Sequence, residues 1–200
     1  MPISPEPFKS LPWALHLFSD PQWTASIRGS RLTATANQDC FNRKTMRSND
    51  GVRHWYEFYK KPSTPDGLVT DAATLVTCGP GLMGFPGMMH AGAMSTLVDE
   101  ALAWGMLCVA KHNGELVDGR DSLEDEGEEK ELELAGWMAT AWLNIKYLRP
   151  VPCPGVIGFE TEVNDLGKKI ELSCVVKNAK GEVLVKGEGL WVRMKGTPKI

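Results

Sequence analysis

Between residues 91 and 110 the chain is apolar on nearly every side of a helical pattern, with Asp99 and Glu100 as its only charges before Lys111. A helix of about 20 residues is about 30 Å long, and one without a polar face has to be wrapped by other elements. The small residues at its start (Ala91, Gly92, Ala93, Ser95, Thr96) let a sheet or a second helix come close. A Gly/Pro-rich stretch, from Gly79-Pro80-Gly81 to Pro86-Gly87, reads as a flexible loop that runs through His90 straight into the helix. The longest uninterrupted apolar run, 101–110, is shorter than the ~20 residues a bilayer crossing needs, so no membrane span is expected.

The chain beyond the helix reads as strands. Residues 137–147 alternate, which predicts Ala139, Ala141, Leu143, Ile145 and Tyr147 on one face and Thr140, Trp142, Asn144 and Lys146 on the other. Arg149-Pro150-Val151-Pro152 ends that strand. Strands over 156–163, 170–176 and 183–194 come next at hairpin spacing, joined through Asp165-Leu166-Gly167 and Asn178-Ala179-Lys180-Gly181. Upstream, 68–78 reads as a strand, 54–59 as a strand or short helix, and 8–18 as a short amphipathic helix interrupted near Pro12. One long buried helix with about five mainly antiparallel strands makes an α+β layout, a curved sheet wrapped around a central helix.

The 200 residues suffice for one well-buried domain. The expected division is an N-terminal extension with short helical segments over 1–55 and a main domain over 56–200. Within the latter, 113–136 carries ten carboxylates against Arg120 and Lys130, the mark of a solvated loop insertion. A net charge of −3 argues against nucleic acid as a partner, because phosphate binding needs a basic face. The five cysteines include no Cys-x-x-Cys pair, so neither a metal site nor a thioredoxin-type motif is expected. Buried, reduced thiols fit an intracellular location, cytoplasmic or mitochondrial, and the first residues hold no apolar core of a secretory leader.

Chemistry concentrates where the loop meets the helix. The N–H groups of Ala91 and Gly92 would have no intrahelical partner, and the helix dipole adds partial positive charge there. A carbonyl oxygen gaining negative charge would be stabilised at that point; the plain alternative is an ordinary capping turn. Asp99 sits in apolar surroundings, so its carboxylate needs a partner or a raised pKa, and facing a cleft it would serve as general base or nucleophile. Glu100 is the natural occupant of a wet helix edge, and His90 would orient the loop or meet the carbonyl. Ala91 and Asp99 are eight residues apart, about 12 Å along a helix, too far for one carbonyl to touch both. A two-fold dimer would repair this by bringing a second Asp99 to the first Ala91. Ser95 lacks a Gly-x-Ser-x-Gly elbow, and 79–87 lacks the Gly-Lys-Ser/Thr ending of a phosphate-binding loop.

Two stretches carry a family likeness. The first is Gly79-Pro80-Gly81-Leu82-x-Gly84-x-Pro86-Gly87-x-x-His90-x-Gly92-Ala93, ending at Asp99-Glu100-Ala101. The second is Thr140-Ala141-x-Leu143-Asn144-Ile145-x-Tyr147-x-Arg149-Pro150-x-Pro152. Together they resemble the hotdog-fold thioesterase superfamily, in particular its phenylacetyl-CoA and long-chain acyl-CoA thioesterase branch. The resemblance implies a homodimeric acyl-CoA thioesterase, with no cofactor beyond the coenzyme A thioester it cleaves. It implies Asp99 rather than Glu100 as the catalytic acid, Thr140 as the holder of the attacking water, and Ala91 and Gly92 as oxyanion donors. His90 would support them, with Gly84, Pro86 and Gly87 along the substrate approach. On charge alone, Lys146, Arg149, Lys168 and Lys169 are candidates to meet coenzyme A phosphates.

Three departures stand out. Ala91 occupies the place of the first Gly of the branch's His-Gly-Gly. Met83 and Gly84 stand where some relatives carry Asn or Gln, and the acidic insertion is longer than usual. They keep two alternatives open: an acyl-binding protein without turnover, and a hydrolase of carrier-protein thioesters. The acyl group and the pairing of dimers into tetramers are not encoded in these motifs.

Overall fold

The computed structural model describes residues 6–26, 40–64, 66–113, 116–117, 133–134 and 137–194. A short helix α1 (His16–Ser19) precedes strands β1 (Trp23–Ser26), β2 (Val52–Lys60) and β3 (Asp71–Cys78). A small hairpin of β4 (Met83–Phe85) and β5 (Met88–Met89) leads into the long helix α2 (Ala91–His112). The two-residue strands β6 (Leu116–Val117) and β7 (Glu133–Leu134) pair with each other across the acidic insertion, most of which lies outside the described residues. The chain then runs through β8 (Trp137–Tyr147), β9 (Gly155–Asp165), β10 (Lys169–Lys177) and β11 (Val183–Met194).

Seven strands form one antiparallel sheet in the order β1-β2-β3-β9-β10-β11-β8, and α2 packs on one face of it. That sheet exceeds the expected five strands because 54–59 resolves as part of β2, and β1 adds four residues, too few to show alternation in sequence. It also begins before residue 56, the expected domain boundary, since β1 and the first half of β2 belong to it.

The alternation of β9, β10 and β11 sends Ile157, Phe159, Val163, Ile170, Leu172, Cys174, Val176, Val185 and Trp191 toward α2. Met94, Leu97, Val98, Ala101, Leu102 and Cys108 meet them from the helix. Each fully buried Leu, Val, Ile, Phe or Met side chain contributes about 1.5–3 kcal/mol relative to exposure. Helix and sheet touch closely at Gly187, where a Cβ would lie 2.5 Å from Val98 Cγ1. With 22 residues α2 is long enough to cross a bilayer, beyond what the 101–110 run suggested, but it lies packed against the sheet.

The opposite sheet face carries a second, smaller core. Phe8, Leu11, Ala14 and Leu17 cover Phe58, Ala73 and Leu75. Instead of one interrupted helix, this segment forms the 3-10 turns Glu6–Phe8 and Pro12–Ala14 and then α1, as Pro12 starts a turn afresh. Trp13 fastens it, donating from Nε1 to Asn178 O at 3.0 Å and lying over Gly158.

On β8 the expected faces hold from Trp142 to Tyr147 and then invert. Leu190 pairs with Trp142 but Trp191 pairs with Thr140, so Ala141 is the extra residue of a β-bulge. Met138 packs against the helix-side core with Leu143 and Ile145, and Thr140 shares their face. Unbroken alternation would put Thr140 on the opposite face; the bulge is the reason it is not.

Candidate active site at the start of the long helix

The residues ahead of α2 are firmly held. Pro86 and Gly87 occupy the corners of the β4–β5 turn, where Gly87 at φ 77° supplies the positive φ of a type II turn. Met89 N–H donates to Val151 O at 2.9 Å, Cys153 N–H to Gly87 O at 3.1 Å and His90 N–H to Leu82 O at 2.8 Å. Gly79 and Gly81 donate their N–H groups to Gly51 O and Asp50 O, each at 2.6 Å. A Cβ on Gly79 would stand 2.5 Å from Asp50 O, so close backbone approach, not mobility, explains this glycine.

His90 is the N-cap of α2, extended at φ −63° and ψ 134°, and its Nδ1 accepts the Gly92 N–H at 3.0 Å. The imidazole lies between two glycines: a Cβ on Gly84 would be 3.2 Å from Cδ2, and one on Gly92 3.1 Å from Cε1. The two amides singled out in sequence therefore differ. Gly92 N–H is taken by the cap, whereas Ala91 N–H has no acceptor among the described residues and Ala91 is exposed. Ala91 O accepts from Ser95 Oγ at 3.0 Å and from the Tyr147 hydroxyl at 2.7 Å.

A cavity of about 490 Å³ opens at this point, with Gly84, His90, Ala91, Tyr147 and Arg149 in its wall among the apolar Phe85, Met88, Met94 and Val151. Arg149 Nη1 donates to Val183 O at 2.7 Å, which anchors the guanidinium at the rim. Pro86 and Gly87 lie at the exposed hairpin tip, outside the wall. Asp99 is half-buried two turns further along α2, and Thr140 is exposed on the helix side of β8; neither belongs to this cavity. Glu100 accepts from Asn42 Nδ2 at 2.7 Å and is thus held by the segment that precedes β2.

The four basic candidates do not converge. Lys146 pairs across the sheet with Lys186 on the face away from α2, whereas Tyr147 faces α2. Lys169 pairs with Val192 and Tyr147 with Val185, seven residues apart on β11, or about 23 Å. Only Arg149 borders the cavity. A second cavity of about 380 Å³ lies on the outer face beside Trp13 and Trp23, but Asp71, Glu160, Glu162 and Glu188 line it and would repel an anionic ligand. Among the described residues no group of three or more His, Cys, Asp or Glu is placed to hold a metal ion. None of the five cysteines is in a disulfide, and burial pushes the Cys78 and Cys174 thiols up to about 12, which leaves these two unreactive.

Sequence reasoning assigns no role to Tyr147 or Asn42. The alternation of β8 puts Tyr147 on the helix-facing side, a signal that a polar tip there would need a partner; Asn42 carries no such signal.

The thioesterase superfamily family model matches residues 86–185, half of the chain, and the protein belongs to that superfamily. Its fold, a long helix packed against a large antiparallel sheet, is the hotdog fold. Among curated proteins it is similar to the acyl-coenzyme A thioesterase THEM4 of Bos taurus, 30% identical over 118 residues, 58% of this chain but only 38% of the bovine protein. It is also similar to verlamelin biosynthesis protein B of Lecanicillium sp, 25% identical over 165 residues, 74% of this chain and 70% of that protein. Similar solved structures include a Streptococcus pneumoniae hypothetical thioesterase with coenzyme A, at 12% identity and TM-score 0.48, covering 69% of this chain and 85% of that one. Another is the Escherichia coli PaaI protein of the phenylacetic acid degradation operon, at 16% identity and TM-score 0.46, covering 64% and 75%.

Proposed function

We propose that the protein hydrolyses acyl-CoA thioesters as a homodimer, with each site formed by Ala91 of one subunit and Asp99 of the other. The observation that carries this reading is the open Ala91 N–H at the start of α2, beside an apolar cavity, with the carboxylate about 12 Å further along the same helix. Membership of the thioesterase superfamily and the likeness to an acyl-coenzyme A thioesterase support the chemistry. The dimer is supported by β8, which ends the sheet with one edge unpaired among the described residues and exposes Trp142 and Tyr147.

In this reaction the thioester oxygen accepts from Ala91 N–H, and Thr140 holds a water against the carbonyl carbon. Asp99 takes a proton from that water as its oxygen bonds to the carbon. The tetrahedral oxyanion then collapses, the C–S bond breaks, and the thiolate of coenzyme A recovers the proton from Asp99.

The decisive assay is release of free thiol from acyl-CoAs of several chain lengths. Wild type should turn over at least one, and Asp99→Ala should lose about 10²–10⁴-fold in kcat. Binding of every acyl-CoA without turnover would point to an acyl-binding protein, a reading favoured by the commitment of Gly92 N–H to His90. The Lecanicillium relative is by name a biosynthesis protein; turnover confined to acyl-carrier-protein thioesters would place the activity on such substrates instead.

A further inference from the structure

We propose that Tyr147 is a positioning residue for this site: through the peptide that joins Ala91 to Gly92 it holds His90 as the Nε2–H tautomer, which turns a second hydrogen-bond donor toward the cavity. The use of that donor rests on the hydrolytic reading above; the tautomer itself does not.

From the end of β8 the Tyr147 hydroxyl reaches Ala91 O at 2.7 Å. Ser95 Oγ, 2.9 Å from that hydroxyl, meets the same carbonyl at 3.0 Å. Tyr147 is 45% exposed, and these hydrogen bonds hold its hydroxyl against the start of the helix. The other end of the same peptide unit is the Gly92 N–H, which lies 3.0 Å from His90 Nδ1. A main-chain amide only donates. Nδ1 therefore carries the lone pair, and the neutral ring carries its proton on Nε2.

Donation into a carbonyl polarises the peptide and strengthens its N–H as a donor. A continuous chain results: Tyr147 O–H to Ala91 C=O, then Gly92 N–H to His90 Nδ1. No proton is transferred along it; its product is a fixed tautomer. Gly84 and Gly92 flank the ring and set its plane, and a Cβ on either would press on it. His90 and Ala91 share the cavity wall, so the wall would offer a bound thioester one main-chain and one imidazole donor. This supplies the side-chain donor that Met83 and Gly84 do not.

The test uses the full chain. Nitrogen-15 spectra of the imidazole groups, with the His90 signals assigned through His90→Gln, are recorded for wild type and Tyr147→Phe beside acyl-CoA hydrolysis. Wild type is expected to show His90 protonated at Nε2 alone. Tyr147→Phe keeps the ring but removes the hydroxyl; its His90 should gain a measurable Nδ1–H fraction as the Gly92 N–H weakens as a donor, and kcat should fall with KM within about twofold. An Nδ1–H tautomer in wild type, or the same tautomer ratio in both proteins, overturns the proposal. So does an unchanged kcat despite a shifted tautomer. A tautomer shift in a protein whose wild type cleaves no thioester upholds the relay and removes the hydrolytic reading instead.

Discussion

Ala91 differs from glycine by one methyl group, and the peptide N–H it contributes is untouched by that difference. Its position permits a clean test of the donor. His90 has φ −63° and ψ 134°, the extended region favoured before proline, and Ala91 is the first helical residue, where a missing N–H breaks no helix bond. Ala91→Pro should therefore fold with an unchanged melting temperature and lose about 10²–10³-fold in kcat; full activity would show that another group holds the oxyanion. At this scale the sequence was partly legible. The run from Pro86-Gly87 through His90 announced a helix start with orphan donors. That the His90 ring takes up Gly92 N–H and leaves Ala91 N–H open depends on a side-chain rotamer, which no spacing rule encodes.

The strands were legible wherever they alternate over eight or more residues with one face against α2, as in β9, β10 and β11. Two features escaped that logic. The bulge at Ala141 turns Thr140 to the helix side, and one inserted residue leaves no mark on composition. The N-terminal segment covers the outer face through Trp13, and its docking depends on the flat site at Gly158, far away in sequence. The β9–β10 turn gives an element-scale prediction. Arg193 reaches over it from β11, with Nη1 2.8 Å from Asp165 Oδ1 and Nη2 3.1 Å from Oδ2. Burial alone would raise the Asp165 pKa, but the hydrogen bonds from Arg193 and Gly167 N–H and the Arg193 charge outweigh it and hold the carboxyl below its ordinary 3.8. A lowered carboxyl pKa stabilises the fold above the unfolded value, and this contribution is lost as pH falls through the folded one. Arg193→Ala should cost about 1–3 kcal/mol in urea unfolding near neutral pH. The gap to wild type should close below pH 3.8; a gap independent of pH would assign the loss to packing.

At the scale of the whole molecule, the residues proposed for thioester hydrolysis sit, within one chain, on elements that do not meet around one carbonyl. The open amide borders the cavity, while Asp99 and Thr140 lie outside its wall. The edge of β8 that is unpaired among the described residues and the exposed first turn of α2 belong to the same region, since Tyr147 bonds to Ala91. A second copy seated there would bury the edge and complete two sites at once. The direct measurement mixes two inactive variants, Ala91→Pro and Asp99→Asn, as purified full chains that exchange subunits. A mixed dimer, at twice the 22.0 kDa chain mass, holds one doubly damaged site and one intact site. The shared-site account predicts that such dimers regain about half the wild-type turnover. If mixed dimers form and remain as inactive as either parent, each site is built within one chain and the account is wrong.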